Sequence, residues 1–272
     1  MRIEEFDFKA SKQAIAPLIS ALFKGGTAAF VIRNFLPKEQ LNLIRDKNLN
    51  YTSQKFEPSL GYTALPRPFG GVLGPDRFIS GYEEEIKYFK EDLEFKVLED
   101  SLKASIDTGL DNQAIEFAQE SDHVSYSNSW FSLRELQPEQ GRFDVHCGNF
   151  FVDWNDGYFQ KNNKQLEAYS HKAFLAMIQK PTAAEDLIIY SAHWDKFKTR
   201  KDLDTLIDLD NREHSLKHIP CSRITLNEGD VIFFDESNYW HQVPIVNGEI
   251  SRITFGGFIS KFKNQNKYYF WA

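Results

Sequence analysis

The chain has 272 residues, of which 42% are hydrophobic and 26% charged, a composition typical of a globular protein large enough to bury a substantial core. Its net charge of −7, without any basic run, argues against nucleic acid as the main partner. No long apolar run predicts a membrane span, and the acidic start Met1–Phe6 is unlike a signal peptide. Two cysteines, Cys147 and Cys221, suit a reducing compartment, so we expect a cytoplasmic protein.

The first half of the chain is predicted to be mainly helical. Apolar spacing and helix-start signals predict helices at Ser11–Lys24, Pro37–Lys47 and Glu83–Ser105, and Asn112–Gln119 is expected to continue the helical layer. Thr27–Phe35 is predicted to be a strand. Tyr51–Pro75 is rich in proline and glycine, which predicts a long loop of the kind that often serves as a lid.

From Ser129 onward the pattern changes to short runs typical of strands. Eight are predicted, at Phe131–Leu136, Phe143–Phe151, Lys172–Gln179, Leu187–Trp194, Ser222–Leu226, Val231–Phe234, Tyr239–Val246 and Ile250–Phe262. Helices followed by a run of antiparallel strands favour a mainly β fold, a jelly roll with a helical buttress. We expect one domain over residues 1–272. Residues 1–128 would form helical support and a lid loop, and residues 129–272 the catalytic core.

The dipeptide Asn247-Gly248 lies between two strand-like runs and predicts a two-residue hairpin turn. Such a turn would place His241 opposite Thr254, with Arg252 as its diagonal neighbour about 7–8 Å away on the same face. A small dicarboxylate would fit between a metal on His241 and the guanidinium of Arg252, whose rigid donors match a carboxylate. The alternative is a surface hairpin with a solvated arginine.

Three of the seven histidines, His146, His193 and His241, lie on predicted strands. An iron centre of two histidines and one carboxylate needs a histidine and a carboxylate two residues apart on one strand, plus a distant histidine. The other four lie in polar surroundings and are predicted to be solvated: His123, His171, His214 and His218.

Two segments compete for the local pair. His193-Trp194-Asp195 has the required spacing and carboxylate, whereas His146-Cys147-Gly148 has the spacing but glycine in place of the carboxylate. In a jelly roll the two ligand strands must be neighbours although they are far apart in sequence. His146 lies on the second predicted strand and His241 on the seventh, which favours His146 and keeps His193 as the alternative.

Several segments of the second half carry a resemblance to a known family. They are Val145–Asn149, Asp186–Ser191 with Trp194, Gly229–Phe258 and Lys267–Trp271, and they occur in family order with similar spacing. The chain resembles the Fe(II)/2-oxoglutarate-dependent oxygenases. In finer detail it is similar to the free-standing radical halogenases of hapalindole- and welwitindolinone-type indole alkaloid pathways.

The resemblance implies that His146 and His241 bind Fe(II) and that Arg252 grips the C5 carboxylate of 2-oxoglutarate. It also implies that Gly148, which lacks a carboxylate, leaves a position open for chloride. The implied reaction consumes O2 and 2-oxoglutarate, chlorinates an unactivated aliphatic C–H of a small molecule, and releases succinate and CO2. Thr254 and Tyr190 are expected as further cofactor contacts.

Two more residues are candidates for substrate or outer contacts. Asn149 follows the glycine, with a structural role as the alternative, and Arg134 precedes His146 by one strand, with a solvated arginine as the alternative. Because the chain has no basic patch for an acidic carrier protein, we expect a free substrate.

Two other functions compete with halogenation. The first is hydroxylation or desaturation by the same cofactors, with water, an outside carboxylate or Asp195 filling the position at Gly148. The second is a non-catalytic metal-binding jelly roll, against which the arginine beside His241 argues. The sequence indicates neither the substrate nor the oligomeric state.

Overall fold

The computed structural model describes residues 1–7, 15–55, 61–65, 96–97, 100, 103–104, 114–117, 130–149, 171–183, 187–196, 218–261 and 267–271. The helices in these ranges are α1 (Ile15–Phe23) and α2 (Lys38–Lys55). The strands are β1 (Ile3–Asp7), β2 (Ala29–Arg33), β3 (Tyr62–Leu65), β4 (Ala114–Phe117), β5 (Ser132–Leu136), β6 (Phe143–His146), β7 (Lys172–Gln179), β8 (Leu187–His193), β9 (Cys221–Ile224), β10 (Val231–Phe234), β11 (Tyr239–Val243), β12 (Arg252–Lys261) and β13 (Lys267–Trp271). Neither of the two helices is long and apolar enough to cross a membrane.

The strands form two sheets. The larger has the order β1-β2-β10-β7-β12-β13-β4, with β5 paired to β12 and β3 paired to β5. The smaller has the order β6-β11-β8-β9. From β5 to β12 the chain changes sheet at every step except between β8 and β9, which is the winding of a double-stranded β-helix. The predicted fold class is therefore confirmed, and the eight predicted strands are β5 to β12.

Alternation along the strands of the larger sheet creates two apolar layers. Val231 and Phe233 of β10 pack with the helices, whereas Ile232 and Phe234 face the smaller sheet. Helix α1 covers the outer face of the larger sheet with residues at helical spacing, namely Ile15, Leu18, Ile19 and Leu22. The space between the two sheets is consequently lined by one face of each, and the candidate site lies there.

The first 128 residues add more strand to the larger sheet than the sequence predicts. Helix α2 continues through Lys55 into the predicted loop, and β3 lies further along the same segment. Asn112–Gln119, predicted to be helical, contains β4 instead, which pairs in parallel with β13. Pairing with a distant strand outweighs the weak local preference of this short segment. Most of the predicted helix Glu83–Ser105 and the rest of the predicted loop lie outside the described residues.

The predicted hairpin at Asn247-Gly248 is wrong. Strand β11 pairs with β6 and β8, whereas β12 pairs with β5, β7 and β13, so the two strands lie in different sheets. Gly248 does adopt a positive φ of 98°, but its amide donates to the Glu139 carboxylate at 2.9 Å. Val246 accepts a hydrogen bond from the Glu139 amide. The connection is thus held by the turn between β5 and β6, and distant pairing decides the register.

Candidate active site

Two histidines meet between the sheets. His146 at the end of β6 and His241 in β11 are Cα partners across an antiparallel pair. Their ring centroids lie 4.1 Å apart, and the His241 ring contacts Phe234 of the opposite sheet with centroids 5.0 Å apart. The strand order of the jelly roll therefore brings together side chains that are 95 positions apart in the sequence (241 − 146).

Both imidazoles are oriented in the same way by their own strands. Nδ1 of His146 lies 2.6 Å from the Asp144 carbonyl oxygen, and Nδ1 of His241 lies 2.9 Å from that of Tyr239. A carbonyl oxygen can only accept, so each Nδ1 carries the proton and each Nε2 keeps its lone pair. An outer hydrogen bond of this kind fixes the tautomer of a metal-binding histidine. The two Nε2 atoms are therefore suited to bind a metal.

Electrostatics keep both rings neutral. Burial lowers the pKa of His241 to about 3, and the nearby His146 adds to this effect. Burial also lowers the pKa of His146, and the positive charge of Arg134 acts in the same direction. Neutral imidazole is the form that binds metals, so neither ring has to lose a second proton near neutral pH.

Gly148 lies two residues after His146, just beyond the end of β6, and faces an acidic side chain. A Cβ atom added at Gly148 would collide with Oε1 of Glu236 and would lie 2.6 Å from the Glu236 Cδ and 2.6 Å from the His171 Nε2. The space that a side chain at 148 would need is therefore filled by the carboxylate of Glu236. Because glycine has no side chain, it leaves this space available to the Glu236 carboxylate.

Glu236 is held in place by the ladder between β7 and β10. Phe234 pairs with Ala173, and continuing that register sets Asp235 opposite Lys172 and Glu236 opposite His171. Both expected contacts are present, with Lys172 Nζ at 2.7 Å from Asp235 Oδ1 and His171 Nε2 at 2.5 Å from Glu236 Oε1.

The Glu236 carboxylate is ionised at neutral pH. Its burial works against ionisation, but attraction to His171 lowers its pKa to about 2. Its second oxygen, Oε2, lies 3.9 Å from Nε2 of His241. In the part of the chain that the structure describes, no three His, Cys, Asp or Glu side chains are spaced as a closed metal cage.

The larger sheet presents two arginines on its inner face. Ile253 and Phe255 belong to the outer layer, so Arg252 and Thr254, both buried, face the space between the sheets. Arg134 of β5 is the Cα partner of Thr254, and its guanidinium lies 5.7 Å from the Phe258 ring centroid. His241 and Arg252 therefore lie in different sheets that border the same space, and not on one hairpin.

Three predicted site residues lie elsewhere or are otherwise engaged. Tyr190 is buried on the far side of the smaller sheet, packed with Trp240 and Cys147, and so does not face His241. His193 lies at the end of β8, with its Nδ1 3.4 Å from the exposed Asp195. Asn149 is buried, and its amide donates to Asn238 at 3.1 Å, which ties it to the turn between β10 and β11.

Sequence reasoning missed two buried residues of the site. His171, predicted to be solvated, is only 4% exposed, and Glu236 was not singled out. The available signal was the pair Asp235-Glu236 directly after the apolar strand Val231–Phe234, because acidic residues are rarely buried without partners. His218, by contrast, is exposed as predicted, while His123 and His214 lie outside the described residues.

The fold and the paired histidines define the class of the protein. A double-stranded β-helix with two metal-competent imidazoles between its sheets is the architecture of the non-haem Fe(II)/2-oxoglutarate-dependent oxygenases. The sequence matches the family described as "Carrier-protein-independent halogenase WelO5" over residues 5–272, and the chain belongs to this family. It is thus an oxidoreductase that uses Fe(II), 2-oxoglutarate and O2, a halogenase or dioxygenase, with chloride as the co-substrate of halogenation.

The comparison with the first of two solved structures supports the fold. The chain is similar to a novel N-substituted L-amino acid dioxygenase from Burkholderia ambifaria AMMD, with 16% identity, a TM-score of 0.53 and coverage of 94% of this chain and 91% of that chain. It is also similar to a prolyl-4-hydroxylase from Pseudomonas putida, with 9% identity, a TM-score of 0.43 and coverage of 92% and 100%. No curated protein sequence matches the chain.

Proposed function

We propose that the protein is a radical halogenase that chlorinates an unactivated aliphatic C–H of a free small molecule and releases succinate and CO2. The observation that carries this proposal is the combination of two metal-competent histidines with glycine at position 148. A centre with two neutral imidazoles and no carboxylate on the histidine strand lacks one anionic ligand. A halide ion can supply that charge.

The proposed roles follow from the two sheets. His146 and His241 hold the iron through their Nε2 atoms, and iron supplies the activation of O2 that removes the substrate hydrogen. Arg252 binds both oxygens of the far carboxylate of 2-oxoglutarate, and Thr254 beside it donates a further hydrogen bond. Arg134 adds a positive charge near His146 and so favours anions between the sheets.

A free substrate fits this family, whose description is carrier-protein-independent. A net charge of −7 also opposes docking of an acidic carrier protein. The space between the sheets is bordered by aromatic and aliphatic side chains, including Phe234 and Phe258, which suits a rather apolar substrate.

The proposal is tested by anaerobic absorption spectroscopy of the protein with Fe(II) and 2-oxoglutarate. Sodium chloride is titrated in, and sodium sulfate at equal ionic strength is the control. We expect a saturable shift of the metal-to-ligand band with chloride alone. A band that forms but ignores chloride would reject halogenation, and a protein that forms no band would contradict the assigned ligands.

Hydroxylation or desaturation is the second candidate, and one observation favours it. The Glu236 carboxylate lies beside Gly148, so an anionic group from another strand is already near the position that halide would take. Aerobic turnover with product mass spectrometry separates the two candidates, because chlorine adds a distinctive isotope pair and hydroxylation adds one oxygen.

A further inference from the structure

Two hydrogen-bond acceptors face each other beside Gly148. Oε2 of Glu236 lies 3.9 Å from Nε2 of His241, and both side chains are about 95% buried. Nδ1 of His241 donates to Tyr239, so its Nε2 is a lone pair and carries no proton toward the carboxylate. Two buried acceptors that face each other repel, whereas a cation between them would bind both.

The two carboxylate oxygens of Glu236 approach different histidines. Oε1 is paired with His171, whose ring packs against Phe258 and Trp271 with centroids 5.8 and 6.1 Å apart, while Oε2 is turned toward His241. This is the arrangement of a monodentate carboxylate ligand whose other oxygen is fixed by an outer histidine. The anchor restricts where Oε2 can move.

The carboxylate also lies where a side chain on residue 148 would begin. A Cβ atom there would be 2.6 Å from the Glu236 Cδ. Two ligands at right angles on a metal, with bonds of about 2.1 Å, are about 3.0 Å apart. Oε2 would have to approach His241 by only about 1 Å to share a metal with it, a shift within the range of a side-chain torsion.

We propose that Glu236 is an internal third ligand, which occupies the metal position left open by Gly148 until a halide ion displaces it. This inference rests on the proposed function and adds a residue that decides between halide and carboxylate. The summed charge of the metal's ligands stays the same, since one monovalent anion replaces another, and the displaced carboxylate stays beside His171. It also means that chloride affinity is set by competition with a side chain of the protein and not by an empty position.

The test compares native protein with Glu236→Gln and Glu236→Ala. Glutamine has the same shape as glutamate and can still form a hydrogen bond with His171, so the Glu236→Gln variant is expected to fold. Far-ultraviolet circular dichroism checks that it does. Asp195→Asn is the matched control, because it removes an exposed carboxylate beside a histidine that does not face the site. The measurements are Mn(II) affinity in chloride-free sulfate buffer by electron paramagnetic resonance, and chloride affinity of the anaerobic Fe(II)·2-oxoglutarate complex by absorption.

Both Glu236 variants should bind Mn(II) about 10–100-fold more weakly without chloride. They should bind chloride at least about tenfold more tightly than native protein, because the competitor is gone. Unchanged or weaker chloride binding in Glu236→Gln, or Mn(II) affinity equal to that of Asp195→Asn, would overturn the inference. Weaker Mn(II) binding with no chloride response in any variant would support Glu236 as ligand and reject halogenation, so the two failures are distinguishable.

Discussion

The paired histidines are prepared for metal binding by their own backbone. Each Nδ1 is held by a carbonyl two residues earlier on the same strand, which is possible because residues i and i−2 share a face. No distant partner is needed to select the tautomer. The strand ends of β6 and β11 are thus sufficient to present two Nε2 lone pairs side by side.

Replacing either histidine should remove the metal. We expect His146→Ala and His241→Ala each to weaken Fe(II) or Mn(II) binding by more than about 100-fold, beyond the effect of losing an outer partner. Isothermal titration calorimetry under anaerobic conditions measures the change. His193→Ala is the control and should bind as native protein does. Loss of binding in His193→Ala, with His146→Ala unaffected, would identify the other sequence candidate as the ligand.

Arg252 should control affinity for 2-oxoglutarate. Its buried guanidinium is the expected partner of a carboxylate, and removing one member of a buried charge pair costs about 2–5 kcal/mol. We therefore expect Arg252→Gln to weaken 2-oxoglutarate binding by about 30-fold or more, measured by anaerobic titration of the absorption band. Arg252→Lys should recover part of the loss. Arg223→Gln, at an exposed site on β9, is the control, and equal effects of both variants would reject the assignment.

At the scale of elements, the turn between β10 and β11 links the fold to the site. Asp235 Oδ1 accepts hydrogen bonds from Lys172 Nζ at 2.7 Å, from the Ser237 hydroxyl at 3.0 Å and from the Asn238 amide at 3.2 Å. One buried carboxylate therefore organises the four-residue turn that carries Glu236 and leads into His241.

Breaking this buried pair should destabilise the protein strongly. Asp235→Leu leaves the Lys172 ammonium buried without its carboxylate, so we expect a loss of about 3–5 kcal/mol in the free energy of unfolding. Urea denaturation followed by circular dichroism measures it. The double variant Lys172→Met/Asp235→Leu should recover most of the loss, since both charges are removed. Additive losses in the double variant would show that the pair itself is not responsible.

At the scale of the whole molecule, burial of tyrosines should limit stability in alkali. Burial raises the pKa of Tyr190, and the charge of the Cys221 thiolate adds to the rise. The unfolded chain releases this proton near pH 10 while the folded chain retains it, so stability is fully present below pH 10 and is lost as pH rises further.

The loss should be up to about 1.4 kcal/mol for each pH unit above 10 from one such group. Urea denaturation at pH 9, 10 and 11 should therefore show a smaller alkaline loss for Tyr190→Phe than for native protein. Between pH 8 and pH 9 the free energy of unfolding of both proteins should change with pH in the same way. Parallel losses at all three alkaline values would contradict the role of Tyr190.

Much of the core could be predicted because its strands are short apolar runs. Counting those strands predicts that the second and seventh are neighbours, which β6 and β11 confirm. The face of Tyr190 could not be predicted, since the continuous apolar run of β8 has no period of two. The prediction of a hairpin at Asn247-Gly248 failed because the local turn preference is outweighed by the pairing of β12 with β5, β7 and β13.

The candidate site shows the same division. His146 and His241 carry a sequence signal through spacing and strand order, and Gly148 is evident from its departure from the carboxylate pattern. Glu236 is marked only as an acidic residue directly after an apolar strand. Its contact with His171 could not be predicted, because it arises from the register between β7 and β10, which are far apart in the chain. Similarly, β4 and β13 pair in parallel over a long separation that no local pattern reveals.

The last strand gives the molecule an optical property. Trp271 of β13 is buried, donates to the Ser260 hydroxyl at 2.9 Å, and packs 6.1 Å from the His171 ring, which contacts Glu236. An indole so close to the site is quenched by an open-shell ion through space, and its emission shifts when the polarity around it changes. Part of the intrinsic fluorescence, which comes from five tryptophans, should therefore fall when an open-shell metal ion binds between the sheets.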